Sequence, residues 1–262
     1  MTPFWKMHGL GNDFVLIRQA DWPKASSPAQ IRALADRQRG IGFDQLLLID
    51  PDTPGFVIFN ADGSIAEQCG NGLRCVAAWL GRENPALGSE FVLHSPAGEH
   101  SVQLHADGEV SASMGCPAIG AQLPLPEGSA APMLQAVSMG NPHAVARVDD
   151  VDGLDLAALA QQAAAMPTFP DGVNVGALQV LAPDRARLRV FERGAGETQA
   201  CGSGACAAMA AARHNGWLSE RAELLLPGGR LVLKWNQPRD ALWMRGPATA
   251  VYHGFIDLSM QE

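Results

Sequence analysis

The chain has 262 residues, 47% apolar and 18% charged, a balance that excludes a disordered or collagen-like polypeptide despite 28 Gly and 18 Pro. Nineteen Lys and Arg against 27 Asp and Glu give a net charge of −8, so there is no cationic surface for a phosphate backbone and nucleic acid is not an expected partner. No apolar run reaches the roughly 18 residues that span a bilayer, and the opening MTPFWKMHGL lacks a signal-peptide pattern, so no membrane association and a cytoplasmic location are expected. The five Cys are odd in number and irregularly spaced, which points to thiols rather than a disulfide framework. Lys6, Lys24 and Lys234 are the only lysines, and none lies in a cofactor-attachment context.

In chain order, a first helix is expected from Pro28 (PAQIRALADRQ), with Ser27 as N-cap and Gly40 just past its end. Residues 55–60 (GFVIFN) read as a strand and Asn71 to Arg82 as a buried helix. Alternating or β-rich segments follow (EFVLHS, SVQLHA, EVSASM). The order then repeats: a strand over 187–192 (RLRVFE), a helix from Ser203 to His214, and the segments AELLLP, RLVLKW and ALWMR. The glycines do not follow the G-x-G-x-x-G spacing of a dinucleotide fold.

The repetition extends to individual residues. Gly11-Asn12 recurs as Gly140-Asn141, Gly42 as Gly172, Val57 to Asn60 as Arg189 to Glu192, and Cys69-Gly70 as Cys201-Gly202, at offsets of 129 to 132. One insertion of about five residues, around Pro167 to Asp171, separates these from an offset of 125 at Ala33/Ala158. An α+β fold of two homologous lobes follows: 1–118, and 119–249 beginning in the Pro/Gly-rich Gly120 to Pro132, which reads as a linker. The tail, 250–262, contains an apolar strand pattern that could return to the first lobe.

Cys-Gly-x-Gly occurs twice, at Cys69 and Cys201, each time where a turn opens into a helix. A helix N-terminus favours an anion by about 0.3 to 2 kcal/mol, enough on its own to bring a thiol from about 8.5 toward 7. If the lobes face one another across a cleft, Cys69 and Cys201 can reach one carbon from opposite sides. One thiolate then removes a proton and the other thiol delivers one, inverting the centre. Two coupled thiols share one proton, the state that starts the reaction in either direction. The first-turn amides can hold a carboxylate, so no pyridoxal and no metal is required. Zinc is disfavoured by the absence of paired C-x-x-C spacing. Cys75 and Cys206 read as buried small residues and Cys116 as structural.

MHGLGNDFV (7–15), GIGFDQLLLI (40–49), FNADGSIAEQCGNGLRCVA (59–77), MGNPHAV (139–145), DGVNV (171–175) and FERGAGETQACGSGACAA (191–208) together resemble the diaminopimelate epimerase family over essentially the whole chain. The resemblance implies a mixed sheet curled around a central helix in each lobe. It also implies cofactor-independent interconversion of LL- and meso-2,6-diaminopimelate, in lysine and peptidoglycan-precursor synthesis. Cys69 and Cys201 would be the acid/base pair, tuned by His143 and Glu192. The backbone of Gly70, Asn71, Gly202 and Ser203 would hold the reacting carboxylate. Asn60, Asn174, Glu192 and Arg193 would read the distal end, and Asn12, Gln45 and Asn141 would line the site. Tyr252 would lie at a homodimer interface. Proline racemases and hydroxyproline epimerases also use two thiols, but Asn71 and Arg193 argue against them. A dithiol redox switch would not need the duplicated glycines.

Overall fold

A computed structural model describes residues 1–23, 27–66 and 68–258. Lys24, Glu67 of the first Cys motif and the end of the tail, 259–262, lie outside the described residues. The chain divides into two compact units: residues 1–112 with 246–262, and residues 113–245.

In the first unit β1 (Thr2–Gly9) and β2 (Asn12–Arg18) form a hairpin. It is followed by α1 (Pro28–Ala35), β3 (Gln45–Asp50), β4 (Gly55–Asn60), β5 (Ile65–Ala66), α2 (Gly70–Glu83), β6 (Glu90–Ser95), β7 (Gly98–Leu104) and β8 (Val110–Ser113). β2 runs parallel to β3, β3 antiparallel to β4, β4 parallel to β6, and β6, β7 and β8 antiparallel. The second unit has β9 (Ala118–Pro124), β10 (Met133–Ser138), β11 (Pro142–Arg147), α3 (Leu156–Ala164), β12 (Asn174–Ala182), β13 (Arg185–Glu192), β14 (Gly196–Thr198), α4 (Gly202–His214), β15 (Arg221–Leu226), β16 (Gly229–Lys234) and β17 (Trp243–Gly246). The last strand among the described residues is β18 (Thr249–Ile256).

The two units repeat one strand order. In the second, β9, β10, β11, β12, β13, β15, β16 and β17 are successive neighbours, with parallel pairs at β11–β12 and β13–β15. In the first, β18 pairs antiparallel with β1, which continues through β2, β3, β4, β6, β7 and β8. β18 therefore holds in the first unit the place that β9 holds in the second. The stretch read as a linker is, over residues 120–124, part of this first strand of the second unit.

In the first unit the alternation of side chains sorts the strands into two faces. Phe14, Leu16, Leu47, Ile49, Phe56 and Ile58 pack against α2, while Val15, Ile17, Leu46, Leu48 and Phe59 pack against α1. From Gly70 to Leu80 every residue of α2 except Ala78 is buried, as is nearly all of α4. A helix buried on all sides must be small and apolar, which the runs GLRCVAAWL and GACAAMAAA supply. The helix at Pro28 has the expected capping box, with Ser27 and Gln30 bonded to one another. It ends at Ala35, earlier than its periodicity suggests, because Asp36 turns the chain by accepting the amides of Gln38 and Arg39.

A charge cluster braces the first hairpin. Asp13 accepts Lys6 and the fork of Arg37, which also bonds Asp44 at 2.7 Å. Burial opposes ionisation of Asp13, but the bonds from Arg37 and Lys6 outweigh it and bring its carboxyl down to about 2. A carboxyl depressed in the folded state stabilises fully above its unfolded value, near 3.8, and loses that contribution as pH falls toward 2. Asp13→Asn is expected to cost about 2 kcal/mol at pH 7. The gap from wild type in urea titrations should close between pH 4 and pH 2, whereas a gap independent of pH would mean that Asp13 acts through shape alone.

Candidate active site

Each Cys of a Cys-Gly-x-Gly motif is the N-cap of its buried helix. Cys69 and Cys201 have extended backbones, and their sulfurs accept the amides of Gly72 and Gly204, each at 3.3 Å. Cys is not a favoured N-cap residue. Its use in both units puts a thiol where Ser, Thr, Asp or Asn would serve the helix better. The first intrahelical bonds run from Leu73 to Cys69 and from Ala205 to Cys201. The amides of Gly70, Asn71, Gly202 and Ser203 precede them and lie at the positive end of each helix.

The glycines keep the thiols close to the sheet. A Cβ on Gly72 would stand 3.4 Å from Cys69 Sγ and from Leu47. On Gly204 it would stand 3.0 and 3.1 Å from the two Cγ atoms of Val190 and 3.2 Å from Cys201 Sγ.

Around Cys69 the sheet presents amides. Gln45 and Asn60 continue the α2-facing rows of β3 and β4, directly opposite one another, with Phe14 beside Gln45. Asn12 opens β2 after a tight turn in which Leu10 and Gly11 both have positive φ. Asn12 Nδ2 donates to Asp44 at 2.9 Å, so its Oδ1 faces Cys69 Sγ at 3.6 Å and Asn71 Nδ2 at 3.4 Å. Gln45 Nε2 donates to Asn60 Oδ1 at 2.9 Å.

In the second unit the matching row is His143, Asn174 and Glu192: His143 is registered with Asn174, as Phe14 is with Gln45, and Asn174 and Glu192 close the adjoining ends of β12 and β13. Asn174 Oδ1 accepts the amide of Arg193 at 2.9 Å and its Nδ2 donates to the carbonyl of Pro142 at 3.2 Å. Arg193 extends over Gly172 and donates to the carbonyl of Asp171 at 2.8 Å. Its exposed guanidinium keeps further donors. His143 is buried, and burial lowers it to about 4. It is neutral at pH 7, where it contributes a hydrogen bond to Asn141 Oδ1 (3.0 Å) rather than a charge.

Cys201 departs from the dipole expectation. Burial is the largest influence and pushes the thiol up, the Glu192 carboxylate adds to this, and the bonds from Ser203 and Gly204 only partly offset them. Cys201 is therefore a protonated thiol at neutral pH. Glu192 is itself held by Thr198 Oγ1 at 2.5 Å. Glu192→Gln removes the neighbouring negative charge, so the pH midpoint for alkylation of Cys201, followed by peptide mass spectrometry, is expected to move down. An unmoved midpoint would leave burial as the whole cause.

Sequence reasoning missed Arg74, which is fully buried in α2. It donates to Gly70 O and Asn71 Oδ1 and reaches Pro247 O, tying the first turn of α2 to the connection that leads into β18. An arginine inside an apolar helical run was the available signal. Tyr252 is half exposed on β18, edge-on to Phe4, with Val251 and Phe255 also exposed. Cys75 and Cys206 are buried and Cys116 is exposed. Burial pushes the Cys75 thiol up to about 12. Among the described residues no cluster of three or more His, Cys, Asp or Glu could hold a metal, and no helix is long and apolar enough to cross a membrane.

The family described as diaminopimelate epimerase matches residues 4–119 and 135–251. A diaminopimelate epimerase from Alkalilimnicola ehrlichii is 47% identical, with 97% of this chain and 98% of that protein covered. One from Pseudomonas aeruginosa is 42% identical over 97% of this chain and 99% of its own length. Among solved structures, a hydroxyproline epimerase from Agrobacterium vitis superposes with a TM-score of 0.67 at 14% identity, covering 97% of this chain and 90% of its own. A phenazine biosynthesis protein from Bacillus anthracis gives 0.70 at 14% identity, covering 97% and 98%. At such identities the structural likeness carries the fold alone.

Proposed function

The chain belongs to the diaminopimelate epimerase family, and from that premise we propose that it interconverts LL- and meso-2,6-diaminopimelate with Cys69 and Cys201 as the two bases. The observation that carries this reading is the same cysteine N-cap, with the same glycine two residues into the helix, in both units.

The reaction needs a thiolate, here Cys69, to take the α-proton from one face of the carbon and a donor for the opposite face. Cys201 starts as the donor, because burial and Glu192 hold its proton. Once that proton has passed to the α-carbon, Cys201 is the thiolate that begins the reverse reaction. Negative charge developing on the reacting carboxylate is met by the first-turn amides at Gly70, Asn71, Gly202 and Ser203. The far end of the substrate carries one carboxylate and one ammonium. Arg193 suits the first and Glu192, with the amides of Asn60 and Asn174, the second. The thiols must remain reduced, which fits the cytoplasm.

Incubation of the reduced protein with LL-diaminopimelate and no added cofactor is expected to yield the meso isomer on chiral chromatography. No meso product under reducing conditions would remove the reading. We also propose a homodimer formed through the exposed apolar side chains Val251, Tyr252 and Phe255 of β18. A single species of monomer mass by sedimentation at micromolar concentration would contradict it.

A further inference from the structure

Gln45 Oε1 is a buried side-chain oxygen to which nothing donates a hydrogen bond among the described residues. Buried acceptors are nearly always paired, so one left open beside a binding site calls for a donor brought by the ligand. What leaves this oxygen open is a chain of hydrogen bonds that starts outside the site, on the turn between β4 and β5.

At neutral pH an ionised carboxylate only accepts. Asp62 is held below the usual carboxylate range by the hydroxyl and amide of Ser64, which bond its Oδ1 at 2.6 and 2.8 Å. The Ser64 hydroxyl hydrogen is committed to Asp62, so its oxygen can only accept from the next group. Asn60 answers with Nδ2, at 3.0 Å. Its Oδ1 must then face Gln45, and Gln45 must answer with Nε2, at 2.9 Å. Each amide is fixed in one of its two orientations by the one before it, and the last presents Oε1. Arg32, donating to the carbonyl of Asp62 at 3.0 Å, anchors the turn to α1.

We propose that Asp62 and Ser64 are positioning residues that set the polarity of Asn60 and Gln45, so that Gln45 Oε1 receives an ammonium group of the substrate. The inference rests on the proposed function and goes beyond its assignment of Gln45 to the lining of the site. At neutral pH diaminopimelate carries carboxylates, which only accept, and ammonium groups, which only donate. A hydrogen bond between this substrate's charged ends and Oε1 therefore comes from an ammonium. In the second unit the corresponding Asn174 is oriented by backbone groups instead, so the relay belongs to one half of the duplicated fold.

Ser64→Ala releases Asn60, lets both amides turn over and offers the ammonium an N–H in place of an oxygen. The expected result is a KM for diaminopimelate raised about tenfold with kcat within about twofold of wild type. Asp62→Ala, which removes the acceptor that commits the Ser64 hydroxyl, should move KM the same way, and Ser64→Thr should keep the wild-type value. The decisive variant is Gln45→Glu in the Ser64→Ala background. A carboxylate accepts whatever Asn60 does, so KM should return to within about threefold of wild type. An unchanged KM in Ser64→Ala, a loss confined to kcat, or a further rise in KM on adding Gln45→Glu would overturn the proposal. Absence of turnover in the wild-type protein would instead count against the proposed function, and unaltered thermal melting of the variants separates both from misfolding.

Discussion

Replacing either Cys69 or Cys201 by alanine is expected to lower the rate of epimerisation by about 10²- to 10⁴-fold, the range contributed by a positioned acid or base. The two losses should be of the same order, because in the proposed reaction each thiol is base in one direction and acid in the other. The substitutions should leave the fold largely intact. Each removes only a sulfur that caps a helix, worth about 1 kcal/mol, while the apolar surroundings of α2 and α4 are unchanged. Rates in both directions, with thermal melting as the control for folding, check this. Either variant retaining full activity would rule out its thiol as one of the two bases.

The second large effect is asymmetric. Gly204→Ala is expected to reduce kcat by about 10²-fold and destabilise the protein by about 1–3 kcal/mol, because the new methyl would press on both Cγ atoms of Val190 and on Cys201 Sγ. Gly72→Ala should be milder in both respects, since its nearest neighbours stand at 3.4 Å, an ordinary contact distance. The two glycines occupy matching places in the duplicated motif, so their difference arises from what β13 and β3 put beneath them: a stiff Val190 against a Leu47 able to change rotamer. Equal effects at both positions would mean that the crowding at Gly204 relaxes.

Much of this architecture could be read from residues alone. The repeated Gly-Asn, Ile/Val-Phe (Ile58-Phe59 and Val190-Phe191) and Cys-Gly-x-Gly groups revealed the duplication, because each unit needs the same tight turn, strand and helix start in the same order. The helices at Gly70 and Gly202 followed from apolar runs with small residues. What the sequence concealed depended on groups far apart in the chain. The tail read as a strand that could return to the first lobe, but that it pairs there with β1 was not legible, because nothing local in TAVYHGFI specifies its partner. The role of residues 120–124 was hidden for a related reason: a composition rich in Gly and Pro suits a linker, yet β10 supplies an edge on which the segment pairs.

The site shows the same division. The two thiols at helix starts were evident from spacing, whereas the protonated state of Cys201 was not. A dipole is a local property of the helix, but the desolvation that overrides it depends on the surrounding packing, and the charge of Glu192 arrives from a neighbouring strand. Arg74, Asp44, Asp62 and Ser64 were likewise invisible as functional residues. Each acts on a partner's orientation, which only the folded geometry defines.

The most direct measurement is proton NMR of the reduced protein in D2O with LL-diaminopimelate, no cofactor added, and L-proline as parallel substrate. The two-thiol reading predicts deuterium at the α-position as the meso isomer appears, with proline unchanged. Exchange of proline with diaminopimelate untouched would move the site to the proline racemase type, and exchange of neither would contradict catalysis by the two cysteines.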